Sequence, residues 1–392
     1  MTAADPAFPM RRPNPFDLPA EYRALREECP VGRATLRDGR PVRLVTRYAD
    51  VRAVLTDPGL SADRCAPGFP FLTAESEYLR RIKVFVGMDG AEHGVHRRMF
   101  TPEFSARKVA ALRPYIQRCV DERIDRLLDA GPPADLVRTL ALPVPALAIG
   151  RILGVPEADT ASFEELTVRV ITHGGAAPFE ALVDYVKHLV RGKHGSSADD
   201  LISRVLREHV APGHLELRAL TIVLILILLA GYETTANTIS VGLLTLLRHP
   251  DQVAALRADP AAMPGAIAEL LRYTSVAELA TCRAATRDID VAGTIILAGT
   301  GVIPLAAAAN RDPTVFPNPE VLDIHRDAQR HLAFGYGAHA CMGAALAQLE
   351  LDIVFSTVLA RLPELRLNGE LPYAAVKYDS VLFGLHELPV AW

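Results

Sequence analysis

The chain has 392 residues, 42 of them basic and 46 acidic, for a net charge of -4. That balance argues against a dedicated nucleic-acid binder, whose footprint is a basic excess. Half of the residues are hydrophobic and 22% are charged, an ordinary globular composition in a chain long enough to bury a large core and a cofactor.

The stretch from Met1 to Pro15 is polar and proline-rich and lacks the apolar core of a signal peptide, so a cytoplasmic protein is expected. Pro41 to Thr46 reads as a short strand, and Tyr48 to Thr56 as a helix stopped by the turn residues Asp57-Pro58-Gly59. From Glu103 to Ala130 the apolar residues Val109, Leu112, Ile116, Val120, Ile124 and Leu127 recur at helical spacing. Helical patterns continue near residues 145–153, 161–172, 179–192 and 199–208, without alternating strands. A long helix is expected from Glu216 to Arg248, about 50 Å at 1.5 Å per residue, ended at His249-Pro250. Its apolar run from Ala219 to Ala230 is shorter than the roughly 18 residues of a bilayer span, so it reads as a helix buried on all sides and no membrane anchor is expected. A helix near residues 264–273 follows, then short strands near 289–291, 295–297 and 301–304, separated by Gly293 and Gly299. Asn310 to Arg330 is irregular, a last helix begins near Cys341 and runs to about Leu362, and short strands close the chain at Trp392. No repeat or shift in composition divides the sequence. The expected fold is a single domain, 1–392, mainly α with a small β region.

The five cysteines, Cys29, Cys65, Cys119, Cys282 and Cys341, are scattered and form no C-x-x-C pair, which argues against a disulfide framework and against structural zinc. Cys341 is distinguished by its neighbours. Phe334-Gly335-Tyr336-Gly337-Ala338-His339-Ala340-Cys341-Met342-Gly343 matches F-G-x-G-x-H-x-C-x-G at all six fixed positions. A thiolate ligand to iron must be deprotonated, and the N-terminus of a following helix favours that form. Gly335, Gly337 and Gly343 permit tight turns and close approach of the backbone to a flat macrocycle. Phe334 can shield the sulfur from water.

This loop resembles the haem-binding signature of the cytochromes P450. The resemblance implies a P450 fold around haem b (iron protoporphyrin IX), with Cys341 as the axial ligand to the metal. It extends over nearly the whole chain. Stretches such as Gly68-Phe69-Pro70-Phe71-Leu72 and Ala141-Leu142-Pro143-Val144-Pro145 look most like the actinobacterial family 105, whose members oxidise macrolides, polyenes, steroids and other secondary metabolites.

Other segments point the same way. Ala230-Gly231-Tyr232-Glu233-Thr234-Thr235 puts a glycine and an acid inside an apolar helix. Both are locally unfavourable, and such local rule-breaking marks functional sites. The segment resembles the family's oxygen-activation motif, which implies that the helix opens at Gly231 and that Thr234 and Glu233 relay protons. Glu269 and Arg272 lie three apart on one helix face. The resemblance implies that they are buried and locked to Arg326, holding the segment before the cysteine loop. Haem propionates need basic partners, and His93, Arg97, Arg283 and His339 match the family positions. The family has prolines where this chain has Gly90 and Ala91, which implies a looser turn there.

The implied reaction is insertion of one oxygen atom, as a hydroxyl or an epoxide, into an apolar small molecule. Phe85, Val86, residues 168–179, Leu226, Leu229, Ala230, Val276, Ala277, Leu279 and Phe383 are the expected pocket residues. The segment from His173 to Pro178 has the composition of a mobile lid connection. Alternative readings are a peroxygenase, a nitric-oxide reductase taking electrons directly from a nicotinamide, a haem gas sensor, and a hydrolase with Cys341 as nucleophile. The intact acid–alcohol pair disfavours the first three. The sequence shows no four-cysteine cluster, no appended flavin domain and no G-x-G-x-x-G after a strand. Electrons are therefore expected from NADH or NADPH through a separate ferredoxin and its reductase, with Arg330 a candidate docking contact. A monomer is expected.

Overall fold

A computed structural model describes residues 5–73, 84–173 and 175–392. The chain divides into two compact units. The first comprises residues 1–96, 265–341 and 377–383, and the second residues 97–264, 342–376 and 384–392. Each unit is assembled from three stretches that interleave along the sequence, so composition carries no boundary between them.

The first unit is built on a six-stranded sheet. Its strand order is Ala7–Phe8, Val31–Leu36, Pro41–Val45, Gly301–Pro304, Arg283–Ala285 and Leu60–Ser61. Pro41–Val45 pairs in parallel with Gly301–Pro304, Val42 facing Gly301, and Arg283 faces Val302 in the antiparallel neighbour. The helix Tyr48–Thr56 turns Val51 and Val54 inward, where they join Val45, Val302, Phe316 and Leu332 in one apolar cluster. A separate ribbon pairs Ile289–Val291 with Thr294–Ile296. Its second strand starts one residue earlier than the sequence pattern suggests. Ala292 and Gly293 both adopt positive φ, 52° and 79°, as a two-residue hairpin turn requires.

The second unit is helical. Its central helix, Leu217–Leu247, packs against the helices Pro143–Leu153 and Ala344–Arg361. From Thr235 to Leu246 it is buried on every face, and Gly242 leaves the space that the Phe355 ring fills. By length and composition this helix is apolar enough to cross a bilayer, contrary to the reading of its uninterrupted apolar run alone. Packing inside the unit accounts for that apolarity from Thr235 to Leu246. The run from Ala219 to Ala230, expected to be buried on all sides, instead keeps Ile222, Ile225, Leu226 and Leu229 only partly buried and Ala230 exposed. A three-stranded sheet of Arg366–Leu367, Pro389–Ala391 and Ala134–Asp135 completes the unit.

Three helix boundaries depart from the sequence pattern. The expected helix from Glu103 to Ala130 is a 3₁₀ turn, Thr101–Phe104, followed by two helices, Ala106–Ala111 and Arg113–Ala130. The apolar period runs straight through a helix start, because Pro114 sits in a first turn, where proline is tolerated. Leu201–Val205 is short, with the Asp200 carboxylate accepting from Ser203 N at 2.9 Å, and passes into a π-type turn at Leu206–Val210. Pro250 both ends the long helix and opens an unanticipated one, Pro250–Ala258.

Candidate functional site

The cysteine loop lies in the first unit as far as Cys341. Gly335 and Gly337 take the left-handed conformation, with φ of 70° and 74°, and a Cβ on Gly337 would come within 3.1 Å of the Leu55 carbonyl. Only glycine suits this turn. The backbone closes on itself where Cys341 N donates to Phe334 O at 2.7 Å, after the 3₁₀ turn Gly337–His339. Cys341 is thereby presented as an exposed thiol. The helix Ala344–Arg361 starts three residues further on, capped by Gly343.

Three of the sequence-predicted basic residues gather in the same unit. His93, on the helix Gly90–Phe100, is buried and stacks on His339 with ring centroids 4.1 Å apart. Asp89 lies 3.9 Å from the His339 ring nitrogen and raises the proton affinity of Arg283 through its charge. Arg283 is itself buried, and burial pushes its pKa down against the opposing pull of Cys282 and Asp89. Its Nη1 donates to Cys282 O at 2.8 Å, while Nη2 is buried with no hydrogen-bond partner among the described residues. A buried guanidinium with an unused donor, and two stacked imidazoles in the same unit, suit carboxylate groups. This donor set, with an exposed thiol in the same unit, fits a haem. Arg97 sits one turn beyond His93 on the same helix and is half-buried.

The turn at Gly90 is tied down, contrary to the looseness inferred from its missing prolines. Asp89 accepts from Ser61 Oγ at 2.5 Å and from Ala62 N at 3.0 Å, fastening the helix start to the end of the strand Leu60–Ser61. The sequence reading assigned Asp89 no role, although its place just before a helix was a signal.

Glu269, Arg272 and Arg326 come together. Arg272 donates to both oxygens of Glu269, and Arg326 Nε donates to Glu269 Oε1 at 3.2 Å. Arg272 Nη1 also donates to Asn310 O and Pro319 O, at 2.9 and 2.8 Å. Two members were missed. Asn310 Oδ1 accepts from Leu332 N at 2.7 Å, and Arg311, fully buried, donates to Tyr273 O at 2.9 Å and pairs with Glu320 at 2.6 Å. The network satisfies the backbone of the irregular segment before the cysteine loop, which has no strand or helix to do so.

The acid–alcohol pair lies in the second unit. The resemblance implies an opening at Gly231, yet the helix Leu217–Leu247 runs through it unbroken. Thr234 Oγ1 donates to Ala230 O at 2.7 Å, one turn back. In this buried helix, Leu226, Leu229, Ala230, Glu233 and Thr234 are only partly buried or exposed and follow helical spacing along one face. An apolar stripe therefore leads to an acid and an alcohol.

The expected pocket residues divide between the units. In the first, Phe383 N donates to Val276 O at 3.0 Å, and Leu279 and Phe383 line a common small cleft of about 50 Å³. Phe85 lies 6.5 Å from His93, ring to ring, with Val86 beside it in the turn Phe85–Gly87. Ala277 is half-buried in the first unit, and Leu226 and Leu229 belong to the second. The cleft also carries Arg11, Arg12 and Arg37, which an apolar reading of the pocket missed. In the expected lid connection, Gly174 lies outside the described residues, while the flanking helices end at His173 and begin at Ala176.

The family model described as Cytochrome P450 matches residues 179–365. Pentalenic acid synthase of Streptomyces avermitilis is 43% identical over all of this chain and 98% of its own length. Vitamin D3 dihydroxylase of Streptomyces griseolus is 40% identical over 100% of this chain and 98% of its own. Among solved structures, the mycinamicin VIII C21 methyl hydroxylase MycCI of Micromonospora griseorubida, bound to mycinamicin VIII, superposes with a TM-score of 0.91. It is 38% identical and covers 99% of this chain and 100% of its own.

Proposed function

The chain belongs to the cytochrome P450 family and is a haem-dependent monooxygenase, and from that premise we propose that it hydroxylates or epoxidises a bulky, largely apolar secondary metabolite. The observation that carries the reading is the Cys341 loop, with its exposed thiol and the basic cluster of His93, Arg283 and His339 in the same unit. The product named for one relative, pentalenic acid, and the molecules named for two others, vitamin D3 and mycinamicin VIII, are bulky and largely apolar, which supports this substrate class.

In this reading Cys341 ligates the iron, and Phe334, Gly335 and Gly343 shape the loop around the sulfur. His93, Arg97, Arg283 and His339 hold the propionates. Bound haem with a thiolate ligand supplies an iron centre that splits dioxygen and delivers one oxygen atom to a C–H or C=C bond. Glu233 takes up protons from solvent, and Thr234 passes them on through its hydroxyl. Ala230 and Gly231, one turn back, leave the helix surface without bulk beside that hydroxyl. Leu226 and Leu229 present apolar surface to the substrate and exclude water. Electrons come from a ferredoxin and its reductase, and the enzyme works as a cytoplasmic monomer.

The test is spectral. The reduced protein under carbon monoxide is expected to show the strongly red-shifted Soret band of thiolate-ligated haem, and Cys341→Ala to lose it. Survival of that band in the variant would overturn the ligand assignment. A screen of macrolides, steroids and polyketides for conversion of the haem from low to high spin then identifies the substrate class. A response confined to small polar compounds would overturn it.

A further inference from the structure

The turn that follows the helix Met263–Thr274 is strained. Ser275 is buried and takes a φ of 43°, in the left-handed region that residues other than glycine enter uncommonly. Such a conformation persists only where surrounding bonds over-determine it. Ser275 Oγ donates to Arg272 O at 2.9 Å and accepts from Asn310 Nδ2 at 3.0 Å. Arg12, which precedes the first helix, Ala20–Glu28, is 5% exposed and closes over the same turn. Its Nη2 lies 3.0 Å from Thr274 O, 3.3 Å from Ser275 O and 2.8 Å from Glu278 Oε2.

The turn aims the stretch from Val276 to Leu279. Val276, Leu279 and Phe383 are buried, and the backbone bond from Phe383 N to Val276 O, at 3.0 Å, joins Phe383 to this stretch. The Arg12 guanidinium also lies 4.1 Å from the centroid of the Phe383 ring, a favourable contact between a cation and an aromatic face. One guanidinium therefore holds both parts of this wall.

We propose that Arg12 is a positioning residue, which keeps Ser275 in its strained conformation and thereby sets where Val276, Leu279 and Phe383 stand and which bulky molecules the enzyme accepts. The proposal rests on the monooxygenase reading above, with these three among its expected pocket residues, and adds what fixes them. Without the guanidinium the backbone at Ser275 gains by returning to negative φ, and every residue after it swings as that dihedral turns. Ser275→Gly gives up two hydroxyl bonds but makes the positive φ unstrained, so the gain disappears and the wall stays.

The experiment titrates the ferric holoenzyme with imidazole and with clotrimazole, each read by the red shift of the Soret band as its ring nitrogen takes the iron. Imidazole reports the iron alone. Clotrimazole also reports the surrounding walls, and the wild type is expected to bind it more tightly because its phenyl rings bury apolar surface. Arg12→Gln is expected to weaken clotrimazole roughly tenfold and to leave imidazole unchanged. Arg12→Gln/Glu278→Gln leaves no uncompensated buried charge, is expected to act alike, and serves where the single variant does not fold. Ser275→Gly added to either is expected to bring clotrimazole back to within about threefold of the wild type, a non-additive effect of neighbours sharing one constraint. The proposal is overturned by unchanged clotrimazole binding in the Arg12 variants, by an equal loss for imidazole, or by a loss that Ser275→Gly does not reduce. A wild type that binds the two azoles equally overturns it as well. Loss of the thiolate band under carbon monoxide in both Arg12 variants would make Arg12 a folding residue instead, which also overturns it. Absence of that band from the wild type overturns the underlying reading, and the two failures are thereby told apart.

Discussion

Arg272 grips Glu269 with two parallel hydrogen bonds, Nε to Oε2 at 2.7 Å and Nη2 to Oε1 at 2.8 Å, and neither side chain is exposed to solvent at all. A pair this deeply buried is costly to desolvate, and its net contribution to stability is small. Its value lies in what it organises. Asp323 N also donates to Glu269, at 3.0 Å, and the remaining donors of Arg272 hold carbonyls of the irregular segment.

Breaking that pair leaves an uncompensated buried charge. Glu269→Gln is expected to cost about 3–5 kcal/mol and to lower the haem content of purified protein. Urea unfolding and the haem-to-protein absorbance ratio measure both. Full haem retention with an unchanged midpoint would show that the segment before Cys341 holds itself.

Thr234→Ala is expected to keep the haem and the binding of substrate while diverting reducing equivalents to hydrogen peroxide. Positioned acid–base groups typically contribute 10²–10⁴-fold, and Glu233→Gln is expected to slow product formation within that range. Product and peroxide are measured against electrons consumed. Unchanged coupling in both variants counts against the relay.

Glu350, inside the helix Ala344–Arg361, is buried, and its Oε2 has no hydrogen-bond partner among the described residues. Burial holds its pKa well above the ordinary 4.5. The folded protein keeps this proton while the unfolded chain releases it, so the contribution to stability is present below about 4.5 and is lost as pH rises toward the folded pKa. Glu350→Gln is neutral in both states. Its urea midpoint should exceed that of the wild type at pH 8, with a smaller gain at pH 5. An equal difference at both values contradicts the assignment.

Turnover is expected to require ferredoxin and its reductase in addition to NADH or NADPH. Because ferredoxins are usually acidic, activity should fall as salt shortens the reach of surface charges, about 10 Å at 0.1 M. Arg330 offers a basic group near the loop, its carbonyl accepting from Tyr48 Oη at 2.7 Å and its guanidinium 5.9 Å from the Tyr48 ring. Full activity with the pyridine nucleotide alone would favour the nitric-oxide reductase reading.

The cysteine loop was legible because its glycines, histidine and thiol are contiguous and each has a local reason to be there. Thr234 and Glu233 were legible as polar groups breaking an apolar helix. Helix interiors followed the hydrophobic period, but the boundaries at Leu112 and Pro250 did not, because proline both stops one helix and opens the next. Arg12 was opaque for a different reason. Its partners Thr274 and Glu278 lie more than 260 positions away, and no local pattern connects them. Asn310 and Arg311 read as loop residues until their bonds to Leu332 N and Tyr273 O gave them a structural role.

The interleaving of the two units has a consequence during synthesis. The strand Pro41–Val45 leaves the ribosome early, yet Val42 waits for Gly301. At roughly 5–20 residues per second, that delay lasts from about ten seconds to nearly a minute. Throughout it, an apolar strand edge has no native neighbour on that side and is open to pairing with another nascent chain. The first unit is completed only when residues 377–383 arrive. Productive folding therefore depends on holding the early strands apart from one another, and yield of soluble protein should respond to translation speed and chaperone supply more than to the stability of the finished fold.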